Sequence, residues 1–249
     1  QEVAQRINDN IASAVKQAPD RLIGLATVPL QDTDLAIKEL DRAIGELGMA
    51  GIEIGAKIVD EELSVERLEP FWARCEELDI PILLHPTSFA SPRFGDHYLT
   101  NIIGNPLDTT TAIHYLIFDG VMARHPKLKI VAVHGGSFVA SYAARMDHAW
   151  GQRADCSQHI DQPPTSYLKQ FYFDNVVFAN DQLEFLINKY GADHILLGTD
   201  YPFDMAEYDP TEHIMGIGSL SDAEKSAICG GNAAAMLKID ASKYARAKP

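Results

Sequence analysis

With 249 residues, 46% of them hydrophobic and 22% charged, the chain is long enough to bury a large core without disulfide or metal staples. A formal net charge of -14 argues against nucleic acid as the main partner, since phosphate binding needs a basic face, but leaves room for a small anionic substrate held by a few arginines in one pocket. Cys75, Cys156 and Cys229 form no CxxC pair, and neither a transmembrane-length apolar run nor a signal peptide is visible, so a cytoplasmic protein away from membranes is expected.

The chain opens inside a helical pattern at Gln1, so a preceding segment is expected. Short apolar runs then alternate with amphipathic ones, the pattern of buried parallel strands covered by helices. Leu22–Val28 is the first expected strand, followed by a helix over Asp34–Leu47 with apolar residues at helical spacing. Gly51–Ile54 is the second strand, and Ser64–Leu78 a helix with Ser64 as its N-cap. Ile80–His85 is the third strand, and one long helix is expected from Pro106 to the stop at His125-Pro126. Lys129–His134, Tyr172–Val177 and Ile195–Thr199 complete the strands. Between them Gln182–Tyr190 is a helix ended by Gly191, and Ser221–Cys229 closes at Gly230-Gly231 before a last short helix from Asn232. A doubly wound sheet or a (β/α)8 barrel lacking its first two strands both accommodate six such units.

The polar residues at the strand ends separate these folds. His85, His134 and Asp200 each close or follow a strand, and in a barrel such residues meet at one mouth. No Gly-rich phosphate loop follows an early strand, as a doubly wound nucleotide binder would need. Neutral imidazole and carboxylate suit a divalent ion, and Gly135-Gly136 after His134 lets backbone approach a ligand closely. Taken singly, each residue has a plain structural explanation: a strand-end histidine on a backbone group, a tight turn, an N-cap aspartate. His97, His114, His125, His148, His159, His194 and His213 read as surface, helix-end or packing residues.

Several runs together resemble the decarboxylase branch of the amidohydrolase superfamily, typified by aminocarboxymuconate semialdehyde decarboxylase. They are His134-Gly135-Gly136 with Arg145 downstream, Leu197-Gly198-Thr199-Asp200-Tyr201-Pro202-Phe203, His85-Pro86, Gly104-Asn105-Pro106 and Gly231-Asn232-Ala233-Ala234, in order over residues 20 to 240. The resemblance implies one barrel domain over 1–249, with His85 and Asp200 as metal ligands and His134 and Asp200 as the residues handling the proton of the metal-bound water. It implies a divalent cofactor, zinc with manganese as the alternative. It also implies a small carboxylate substrate bound by Arg145 and Arg153, with Arg145 reaching a neighbouring subunit's site in a homodimer or higher homo-oligomer. The family's HxH or ExH pair on the first strand has no counterpart here, in keeping with the two strands that the count lacks. The expected activity is non-oxidative decarboxylation of an aromatic or unsaturated acid. The alternatives are a hydrolase or hydratase on the same barrel, and a non-catalytic carboxylate-binding barrel.

Overall fold

The computed structural model describes residues 1–240 except Ser88 and Ala90; residues 241–249 of the expected domain lie outside the described residues. Its strands are β1 (Leu25–Ala26), β2 (Gly51–Ile54), β3 (Lys57–Ile58), β4 (Glu61–Glu62), β5 (Pro81–Leu84), β6 (Lys129–Ala132), β7 (Tyr172–Asp174) and β8 (Ile195–Leu196). Six of them form a parallel sheet in the order β1-β2-β5-β6-β7-β8, while β3 and β4 make a small antiparallel ribbon after β2. Each parallel step follows sequence order, as a barrel wall requires and a doubly wound sheet does not.

The two faces of the sheet have different neighbours. Ala26, Ile52, Ile54, Ile82, Leu84, Ile130, Ala132, Phe173 and Ile195 point to one face and join the main core beneath the helices. Strand alternation sends Leu25, Glu53, Leu83, Val131 and Leu196 to the other face, where they line a cavity of about 630 Å³. A smaller cluster of Val131, Leu196 and Met236, with Leu83, Tyr172 and Ala233 against it, closes one end of that space through the short helix Asn232–Met236. Helices on one face and a partly filled interior on the other mark the sheet as barrel wall. Among the described residues β8 does not pair with β1, so the wall is an open arc there.

Several boundaries differ from the sequence expectation. The first strand shrinks from Leu22–Val28 to Leu25–Ala26 because the Asn8 side chain takes both backbone groups of Thr27, each at 2.9 Å. Ser64 does not cap a helix. Its hydroxyl donates to Asp119, and the helix starts later, through a tight turn at Glu66–Leu68 and then Glu69–Leu78 with proline in its first turn. The Pro106–His125 helix is broken at Gly120 (φ +76°) into Asn105–Phe118 and Val121–Arg124. The earlier helix begins at Thr33, one residue before Asp34, because Asp32 accepts from the Leu35 amide at 3.0 Å. Near the chain's end, Ser221 and Glu224 form a reciprocal capping box before Asp222–Ser226.

Candidate metal centre

β5 ends at Leu84, and the next residue, His85, continues its inward parity while its amide donates to Ile54 O at 3.0 Å. The imidazole therefore leaves the wall on the interior side, at the C-terminal ends of the strands.

After β6 the chain reverses sharply. His134, Gly135, Gly136 and Ser137 all have positive φ, at +56°, +61°, +72° and +56°. A Cβ on Gly135 would lie 2.3 Å from Val177 Cγ1, and one on Gly136 2.5 Å from the Phe173 ring, so conformation and space both require glycine. This turn lifts the His134 ring over the strand ends and starts the helix Ser137–Tyr142. After β8, Asp200 also adopts a left-handed conformation (φ +55°).

The three expected residues meet. His85 Nε2 lies 3.3 Å from Asp200 Oδ1, and His134 Nε2 lies 3.5 Å from Asp200 Oδ2. One ligand atom from each falls within 4.8 Å of the others. Donors that share an ion at bonds of about 2 Å lie up to about 4 Å apart. The His85–Asp200 pair satisfies this, so these two expected ligands suit a divalent cation, with the His134 imidazole directly beside them. Phe203 stacks on the His85 ring with centroids 6.3 Å apart and covers one side of the group.

Two cavities meet at Asp200. The barrel interior supplies one. The other, about 580 Å³, runs from His134 between Ile102, Phe138, Val177, Phe178 and Phe185. Among the described residues no lysine or arginine lines either cavity. Arg145 is exposed and makes no side-chain hydrogen bond or ion pair among the described residues. Arg153 is also exposed and is paired with Asp155 at 2.7 Å. The structure thus places neither arginine in this chain's own cavities.

Asp174, at the end of β7, was not among the expected site residues. It is buried, and its Oδ1 accepts from the Gly135 amide at 2.8 Å and the Val176 amide at 3.1 Å. Burial pushes its carboxyl above the ordinary carboxylate range, while the nearby His134 and these amides pull the other way. The only sequence signal was an acidic residue inside an otherwise apolar strand end. His114 takes the structural role expected of it: its Nδ1–H donates to Thr110 O at 2.7 Å, and burial lowers its pKa.

The amidohydrolase family model matches residues 1–239. The chain belongs to the amidohydrolase family. It is 36% identical over 245 residues to a 2-amino-3-carboxymuconate-6-semialdehyde decarboxylase from Dictyostelium discoideum, covering 98% of this chain and 68% of the relative. It is 31% identical over 270 residues to a gamma-resorcylate decarboxylase from Rhodococcus jostii, covering 96% of this chain and 77% of that protein. A dihydroxybenzoic acid decarboxylase from Polaromonas, solved with bound manganese and 2-nitroresorcinol, superimposes with a TM-score of 0.84 at 28% identity. That match covers 95% of this chain and 75% of the solved one. The amidohydrolase resemblance and the (β/α)8 fold are thereby established. No described helix is long and apolar enough to cross a membrane.

Proposed function

We propose that this protein is a metal-dependent, non-oxidative decarboxylase of an aromatic or unsaturated carboxylic acid. The observation that carries this reading is the meeting of His85, His134 and Asp200 at the mouth of a parallel barrel, beside a cavity walled by Phe138, Phe178 and Phe185.

His85 and Asp200 would hold the ion, zinc or manganese. When bound, the ion supplies positive charge that orients the acid and draws electron density from its oxygens. The aromatic wall holds the planar part of the substrate and keeps water from the reacting carbon. His134 delivers a proton from Nε2 to the carbon that bears the carboxylate. The C–C bond then breaks, its electron pair returns to the ring or conjugated system, and CO₂ leaves. Among the described residues no lysine or arginine lines the cavities, which leaves the substrate carboxylate's partner to a cation from elsewhere. We assign that role to Arg145 of a second copy in a homodimer, where a guanidinium forms a charge-assisted pair with the acid. Arg153, tied to Asp155, is assigned a rim contact with the substrate. Three free cysteines suit a cytoplasmic setting.

The test is CO₂ release by the full-length, metal-loaded protein from a panel of hydroxybenzoic and muconic acids. The reading predicts CO₂ and a product one carbon shorter, with both lost on chelation. Products that retain every carbon would instead mark a hydratase or hydrolase, and tight binding without turnover a carboxylate-binding barrel.

A further inference from the structure

His134 and Asp200 both sit in left-handed backbone, at φ +56° and +55°. For residues with a Cβ this conformation costs about 1–2 kcal/mol each, so something must hold both turns in place. The two turns follow β6 and β8, which are not neighbours; β7 lies between them.

Two consecutive residues at the end of β7 reach both turns. Asp174 Oδ1 accepts from the amide of Gly135, next to His134, at 2.8 Å. Asn175 Oδ1 accepts from the amide of Gly198, two residues before Asp200, at 2.7 Å. The Asn175 amide also donates to Leu196 O at 3.1 Å, which ties the same residue to β8. A Cβ on Gly198 would meet Asp174 Cβ at 3.1 Å, so the second turn lies directly against the residue that holds the first. Asn175 is fully buried, and its Nδ2 has no partner among the described residues. Exchanging Oδ1 and Nδ2 would set a donor against the Gly198 N–H, so the observed orientation is the one in which the side chain acts as an acceptor. Neither residue joins the donor group formed by His85, His134 and Asp200.

We propose that Asp174 and Asn175 are positioning residues that set the separation between the proton-handling His134 and the metal ligand Asp200, one through the Gly135 amide and the other through the Gly198 amide. The metal part of this proposal rests on the function proposed above; the spacing part does not. Side chains that orient metal ligands indirectly commonly change metal affinity by about 10–100-fold when removed.

The experiment measures Mn²⁺ affinity of the full-length protein by electron paramagnetic resonance, together with crystal structures of the metal-free variants. Asn175→Ala, which frees the turn carrying the ligand Asp200, should weaken Mn²⁺ binding by about tenfold or more, whereas Asp174→Ala, which frees the turn of His134, should leave most Mn²⁺ bound. Each should also shift the His134 Nε2–Asp200 Oδ2 separation from 3.5 Å by about 0.5 Å or more. Asp174→Asn, which keeps an acceptor oxygen facing Gly135, should bind Mn²⁺ within about threefold of the wild type. Alanine variants with unchanged separation, and Asn175→Ala with unchanged affinity, would overturn the proposal. If they do not fold, Asp174→Asn decides, because a loss of about tenfold there would show that the carboxylate acts by its charge, as a ligand or proton acceptor. If the wild type binds no Mn²⁺ in a His85-dependent way, the metal reading fails, and the crystallographic separation alone decides this one.

Discussion

At His134 the ring and the backbone have separate tasks. The ring faces Asp200 and the apolar cavity, and the backbone makes the reversal that lifts it there. Replacing only the ring, in His134→Ala, should leave most of the metal bound to His85 and Asp200 while turnover falls about a hundredfold or more. Metal analysis of that variant beside its turnover checks this, and complete metal loss would make His134 a ligand. The backbone is tested next door. Gly136→Ala places a Cβ 2.5 Å from the Phe173 ring at φ +72°, and should destabilise the fold by about 2 kcal/mol, read from denaturant unfolding. His85, His134 and Asp200 were legible in the sequence because each stands at the end of an apolar run, where barrel geometry leaves one place to go. Asp174 and Asn175 were not, because their importance lies in amides 39 and 23 residues away, on turns whose shape no local pattern specifies.

At the scale of elements, the order of strands and helices was readable while their ends were not, and Asn8 shows why. It sits on the first helix, Glu2–Gln17, yet it ends β1 by binding Thr27 and also donates to the buried Glu39 at 2.7 Å. Glu39 in turn accepts from Arg42 at 2.8 Å, and Arg42 reaches Asp9 at 2.8 Å. Ser64 likewise looked like a cap until its hydroxyl found Asp119 across the fold. This network has a pH signature. Burial pushes the Glu39 carboxyl up, but hydrogen bonds from Arg42 and Asn8 and the charge of Arg42 outweigh it and leave its pKa below the usual 4.5. A folded pKa below the unfolded one gives stability that is complete above pH 4.5 and is lost as the pH falls through the folded value. Melting temperatures of wild type and Glu39→Gln should therefore converge as the pH drops below that point. Parallel curves through the acid range would remove Glu39 from the account.

For the whole molecule, the open arc and the exposed Arg145 set the questions. The barrel direction was legible in the inward strand ends, whereas closure and subunit contacts depend on surfaces that a single chain's pattern does not encode. If Arg145 serves a second copy, mixing full-length Arg145→Ala with His134→Ala should restore part of the activity through hybrid dimers that contain one intact site. Subunit exchange without rescue would place the substrate's cation elsewhere. That His85 and Asp200 hold one divalent cation is tested by Mn²⁺ titration of the full-length protein beside its His85→Ala and Asp200→Asn variants. About one tightly bound ion per chain is expected in the wild type, with at least about tenfold weaker binding in each variant. Equal affinity in all three proteins would contradict that assignment.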